Sequence, residues 1–171
     1  MKKILLILIL AVFTLGCKFK NEKASPKAET TTTSVQFSKQ LGYVSDFEKT
    51  LTEKEIEDLT KKLSDYEKQT SNQIAIVSIS DNLTENNFDQ YAIDLSNHWK
   101  IGTSENNNGL TIIYSKKLRK VKISTGTGAE KILTNEICEK VLNEKIIPEF
   151  KNGNYYQGLD NAVTEFITMW K

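Results

Sequence analysis

Residues 101–130 read IGTSENNNGLTIIYSKKLRKVKISTGTGAE, and the reading of this stretch decides the fold. It holds an Asn/Gly-rich approach, a strand, a basic turn, a second strand and a Gly-x-Gly exit that carries one carboxylate. Two strand-like runs joined by a short turn predict a hairpin. Antiparallel pairing then sets the start of the first strand, Asn106 to Gly109, beside the end of the second, Gly126 to Glu130. The expected result is a polar, glycine-rich pocket made by two loops distant in sequence. Glycine lets backbone approach a ligand, and Asn side chains and carbonyls supply neutral oxygens. Such a pocket suits a hard cation or an oxyanion better than an apolar ligand. The alternative is two ordinary turns, since Asn and Gly are the default turn residues.

Working outward, Gln73 to Ser80 is apolar on both alternations, as in a strand covered on both faces. Thr84 is an expected cap for a helix that carries Phe88, Tyr91, Ala92, Leu95 and Trp99 on one side. Strand, helix, strand in about forty residues predicts a right-handed crossover and a sheet layered with helices. Upstream, Thr52-Glu53-Lys54-Glu55 has the capping-box form, and Ile56, Leu59, Leu63 and Tyr66 follow as one apolar stripe. Downstream, Thr134 is an expected N-cap for a helix with Cys138, Val141, Leu142 and Ile146 inward, running towards Pro148. Asn154 to Gln157 reads as another capping arrangement, ahead of Leu159, Val163, Phe166 and Trp170 at helical spacing. The fold class is therefore α/β: a three-layer sandwich of one small mixed sheet with helices on both faces.

The chain has 171 residues and a formal charge of +1, so it has neither a basic field for nucleic acid nor an acidic one. Its two cysteines, Cys17 and Cys138, cannot form a disulfide framework, and one histidine, His98, leaves no His-rich metal site. Any metal would have to be held by oxygen. Residues 1–16 hold Lys2 and Lys3, an apolar run and small residues before Cys17. This is the form of a secretory leader, too short to span a bilayer as a mature helix. The Leu15-Gly16-Cys17 ending resembles a bacterial lipobox, with Thr14 where the motif usually has Leu, which would make Cys17 the lipidated first residue of a membrane-anchored envelope protein. Residues 17–41 are largely polar and read as a flexible tether, and 42–171 as the globular domain.

Val44-Ser45-Asp46, Gln73 to Val77, Trp99-Lys100-Ile101-Gly102, Asn107-Asn108-Gly109-Leu110, Gly126-Thr127-Gly128-Ala129-Glu130, Leu133-Thr134 and Ile147-Pro148-Glu149-Phe150 to Gly158-Leu159 stand in an order that resembles the TPM-domain family. The resemblance covers about Tyr43 to Lys171. It implies a small mixed sheet between helices and an envelope or thylakoid-lumen address. It also implies an association with calcium or another divalent cation such as magnesium, and, in a plant relative, acid phosphatase activity and photosystem repair. Carried over by position, it points to Asp46, Asn108, Gly109, Gly126, Gly128 and Glu130. Asn135 stands where the family often has Asp, which removes one charged ligand. The implied site is a divalent cation, calcium first, held by Asp46 and Glu130 with oxygens from Asn107, Asn108, the 126–128 loop and Asn135.

Other readings weigh less. The Gly126-x-Gly128 element fails as a dinucleotide motif because Lys131 occupies the third glycine position. There is no Asp-x-Asp nucleophile motif and no Arg-rich phosphate loop, so a weak metal-dependent acid phosphatase using the same pocket is the second reading, behind a monomeric binding and quality-control module for membrane proteins. For Asp46 the alternative role is a cap ahead of the first helix. His98 reads as a surface residue, Cys138 as a packed thiol, and both tryptophans as core. The Lys116 to Lys120 turn reads first as a solvated tip and second as a contact for anionic lipid or a partner.

Overall fold

The computed structural model describes residues 37–79 and 83–171. The expected leader, Cys17 and the tether as far as residue 36 lie outside the described residues. Strands β1 (Val44–Asp46), β2 (Gln73–Ser78), β3 (Gly109–Ser115) and β4 (Lys120–Thr125) form one sheet in the order β1-β2-β3-β4. The first three run parallel and β4 is antiparallel to β3, so the expected hairpin and mixed sheet are present. Helices α1 (Glu53–Thr70) and α2 (Phe88–Trp99) lie between strands in the chain. After β4 come α3 (Asn135–Val141), a π-helical turn over Leu142–Ile146, α4 (Ile147–Lys151) and α5 (Tyr155–Met169).

Alternation along the strands divides the core in two. Ile74, Ile76, Leu110, Ile112 and Tyr114 join Leu59, Leu63, Val141, Ile146, Leu159, Val163 and Phe166 on one face. Val77, Ile79 and Ile113 meet Phe88, Tyr91, Ala92 and Leu95 of α2 on the other. Fully burying each such aliphatic or aromatic side chain contributes about 1.5–3 kcal/mol, so both faces of β2 and β3 must be covered. That requirement makes the fold a three-layer sandwich. Among the described residues no helix is long and apolar enough to cross a membrane.

The helix starts follow from their caps. Thr52 accepts the Glu55 N–H while the Glu55 carboxylate accepts the Thr52 N–H at 2.7 Å, the reciprocal capping box expected there. Thr134 caps α3 through the Ile137 N–H. Elsewhere the caps differ from expectation. Helix α2 begins at Phe88, because the Asn87 side chain turns back to accept the Thr84 N–H at 2.8 Å and closes a turn first. Asn154 makes no side-chain cap to α5; its amide donates to Glu149 instead.

Two boundaries also shift. The helical path does not stop at Pro148: a π turn precedes it, and Pro148 falls in the first turn of α4, where its missing N–H leaves no intrahelical bond unmade. Residues 37–41, assigned to the tether, pack on the domain. Phe37 lies 5.2 Å from the Tyr91 ring and 4.9 Å from the His98 ring, and the Trp99 indole donates to the Ser38 carbonyl. Replacing Thr52 by Ala is predicted to lower stability by about 1 kcal/mol in urea unfolding, with an unchanged denaturant slope, because only the cap is lost.

Candidate functional site

The parallel register gives the sheet two working edges. At the amino edge β2 and β3 begin and β4 ends; at the carboxyl edge β1, β2 and β3 end and the 116–119 turn begins β4. The loops expected to form a glycine-rich pocket do meet at the amino edge. They meet backbone against backbone. Gly126 N–H donates to the Gly109 carbonyl at 2.8 Å, and Gly128 N–H donates to the Asn107 carbonyl at 3.1 Å. A Cβ on Gly128 would stand 1.7 Å from the Asn106 oxygen, one on Gly126 2.2 Å from the Asn107 oxygen, and one on Gly109 2.0 Å from the Ile101 oxygen. The glycines therefore admit neighbouring chain, and the space expected for a ligand is filled.

Asn108 is consumed in the same way. Buried at the start of β3, its amide donates to the Ser71 carbonyl at 2.7 Å and to Asn72, and its Oδ1 accepts from the Thr103 N–H at 2.9 Å and from the Thr103 hydroxyl. Asn107 sits at φ 48, in the left-handed region that Asn tolerates. Glu130 is exposed and accepts from the Thr125 hydroxyl at 3.3 Å. Asn135 is exposed in the first turn of α3.

Asp46 belongs to the opposite edge. It pairs with Ser78, while Gln73 pairs with Gly109. The five steps along β2 between those positions, at ~3.3 Å each, separate Asp46 from the hairpin loops by about 16 Å. Calcium holds its oxygens at about 2.3–2.6 Å, so Asp46 and Glu130 cannot share one ion. This corrects the implied cation site: Asn107, Asn108, Gly126, Gly128 and Glu130 gather at one end of the sheet, and Asp46 stands at the other. Among the described residues no three His, Cys, Asp or Glu side chains converge to hold a metal.

What Asp46 does is local. Its Oδ2 accepts the Leu51 N–H at 2.7 Å, and its Oδ1 accepts the Ser78 and Thr50 hydroxyls. Thr50 in turn meets the Tyr114 hydroxyl at 2.6 Å. Burial pushes the Tyr114 hydroxyl well above the ordinary tyrosine range, and the Asp46 charge adds to this while Thr50 opposes it. Glu48 follows the same logic, its carboxylate accepting the Lys116 N–H at 2.5 Å and the Lys117 N–H at 3.1 Å. These two acids tie the end of β1 to β2 and to the hairpin turn.

Beside this network the carboxyl edge opens into a cleft of about 910 Å³. Lys116, Arg119 and Lys151 stand on its lining, and Leu142, Phe150 and Tyr155 form an apolar wall. The wall is built by close packing: Phe150 and Tyr155 rings lie 4.7 Å apart, and Tyr155 stacks on Tyr114 at 5.9 Å. Gly158 lets Phe150 lie on α5, since a Cβ there would come within 3.1 Å of the Phe150 ring. The Lys116 ammonium sits 5.7 Å from the Tyr155 ring centre. The sequence singled out the basic turn, and Phe150 only within the family pattern, but did not place Lys151, Phe150 or Tyr155 beside that turn. Only the π turn and α4 bring them to it.

The TPM-domain family model matches residues 44–169. The chain belongs to the TPM-domain family. Its fold is similar to the solution structure of the N-terminal domain of a protein from P. gingivalis, with 25% identity and a TM-score of 0.64 over 74% of this chain and 80% of that one. It is also similar to the BA42 protein of the psychrophilic bacterium Bizionia argentinensis, at 22% identity and a TM-score of 0.61, over 72% of this chain and 83% of that one. The N-terminal domain of the cg2496 protein of Corynebacterium glutamicum shares the fold at 12% identity and a TM-score of 0.55, over 78% and 82%. No curated protein matches the sequence.

Two predictions separate scaffold from site in this TPM domain. Gly128→Ala should destabilise by about 3 kcal/mol or more in denaturant unfolding, because backbone, not a flexible side chain, occupies the space a Cβ needs. Asp46→Asn should lower the melting temperature by several degrees, through the loss of charge-assisted hydrogen bonds of roughly 1.5–3 kcal/mol. The drop should be equal in EDTA and in millimolar calcium, as measured by scanning calorimetry.

Proposed function

We propose that this TPM domain is a binding module of the cell envelope, tethered to the membrane through lipid on Cys17, that serves assembly or quality control of membrane proteins and works through the carboxyl edge of its sheet. The tether and the envelope address rest on the leader-like residues 1–17 and on what the family resemblance implies. The working surface rests on one observation: the cleft there joins four cationic side chains and one carboxylate, Asp89, to an apolar, aromatic wall. In sheets with parallel strands, ligands bind beyond the carboxyl ends of the strands, where connections leave room between helices. A cavity of this size falls in the usual range for ligand pockets. The residues that the resemblance implies for calcium fall on two edges, so the reading gives no cation a role in the cleft.

Groups suited to covalent chemistry are engaged elsewhere. Burial pushes the Cys138 thiol up to about 11, and the residue faces the core beside Leu133. His98 packs against Phe37 on the α2 side of the sheet. A weak acid phosphatase using the same cleft is the second reading, favoured by the cationic rim, which could hold a phosphomonoester. Turnover lost in Arg119→Gln and kept in Asp46→Asn would carry it.

A photo-crosslinking residue placed at Arg119 in living cells is predicted to capture envelope membrane components, whereas one at Asn106 on the amino edge captures none. Capture from Asn106 with none from Arg119 would contradict the assignment of the working surface.

A further inference from the structure

The ligand class of the cleft can be read from the side chains that line it. Lys116, Arg119 and Lys151 are exposed, and among the described residues none of them has a carboxylate within ion-pair distance. Two acids beside the opening are already engaged. Glu48 holds the amides of the hairpin turn, and Asp89 faces Lys120 at 3.8 Å, while Lys120 also donates to the Glu85 carbonyl at 2.7 Å. Asp89 and Lys120 also line the opening and face each other, which leaves Lys116, Arg119 and Lys151 as an excess of positive charge that complements an anion. The floor of the same opening is apolar: Val121, Leu142, Ile147 and Phe150 line it, with Tyr155 presenting its ring to both the floor and the Lys116 ammonium. A small hydrophilic anion would leave that wall against water, and a neutral apolar molecule would leave the cations unmatched.

We propose that the carboxyl-edge cleft binds an anionic amphiphile, a phosphate- or carboxylate-headed molecule whose head meets Lys116, Arg119 and Lys151 and whose apolar chain lies along Leu142, Ile147 and Phe150. This rests on the carboxyl-edge reading and names the chemistry of its ligand. The amphiphile comes either as a free single-chain molecule or as a lipid in a bilayer, and the two sources share the same head and chain. Charge-assisted contacts to phosphate favour Arg119, which can offer two parallel N–H donors, while the lysines act as point charges. Because the head interaction is electrostatic and solvent-exposed, binding weakens with salt, whereas the contribution of the apolar wall does not.

The test uses the full chain and isothermal titration with decyl phosphate below its micelle-forming concentration. Saturable binding with one site is expected. The triple variant Lys116→Gln, Arg119→Gln, Lys151→Gln should bind at least about tenfold more weakly. A charge-matched control, Lys131→Gln, Lys140→Gln, Lys171→Gln, should bind like the parent. Ile147→Gln should weaken decyl phosphate and leave the melting temperature within a few degrees. Equal binding of neutral decyl maltoside, equal binding of inorganic phosphate, or an equal loss in the control triple variant would each overturn the proposal, as would no binding of decyl phosphate at all. Co-sedimentation with phosphatidylglycerol vesicles identifies the source: a deficit in the cleft triple variant relative to the control assigns a bilayer lipid, and no deficit assigns a free amphiphile. Failure of amphiphile binding with crosslinks still arising from Arg119 would sink this ligand class and leave the working surface standing.

Discussion

The buried Asn108 amide is the contact on which the arrangement of this domain depends. Its Nδ2 donates to the Ser71 carbonyl beyond the end of α1, its Oδ1 accepts from Thr103 in the approach to β3, and its own carbonyl accepts the Gln73 N–H that opens β2. Through its side chain and its main-chain carbonyl, this one residue ties the exit of the first helix to the starts of both central strands. A one-residue slip of β3 against β2 would turn Leu110, Ile112 and Tyr114 away from the large core cluster and draw this amide off its Ser71 partner. Gly126 and Gly128 complete the edge by letting the end of β4 lie directly on the Asn106 and Asn107 carbonyls.

That closure divides labour between the two ends of the sheet. The amino edge spends its Asn and Gly residues on its own backbone, and so behaves as a clasp. The carboxyl edge has a different economy of contacts. Asp46 and Glu48 satisfy the loops that leave β1 and β3, and the hairpin turn, α4 and the start of α5 then stand apart around an open cleft. Acids hold the frame there, and unmatched cations face solvent. The polarity of the cleft is a consequence: Asp46 and Glu48 are committed to N–H and O–H donors, and Asp89 on the lining faces Lys120, so Lys116, Arg119 and Lys151 keep the charge excess.

Much of this was legible in the sequence, and the exceptions have physical causes. Capping at Thr52 and Thr134, the doubly covered β2 and the hairpin all rest on local chemistry, and each is present. The meeting of Asn106–Gly109 with Gly126–Glu130 followed from antiparallel pairing alone. Asp46 was misplaced relative to those loops because the end of the sheet at which a residue stands depends on parallel register, and motif order along a chain does not encode it. Pro148 misled for a similar reason: a proline ends a helix only when the N–H it lacks is needed, and the π turn before it removes that need. The cleft was invisible because Lys151, Phe150 and Tyr155 reach the basic turn only through that turn and the packing of Phe150 on Gly158.

Amide hydrogen exchange at Gly128 and Ala129, both bonded to the Asn107 carbonyl, tests most directly whether the hairpin's glycine-rich base is a clasp. The account predicts slow exchange at both amides, with rates unchanged on adding calcium, because the bonds open only with the strands they join. Rapid exchange in EDTA that becomes slow in calcium would contradict it and return the amino edge to the role of a cation site.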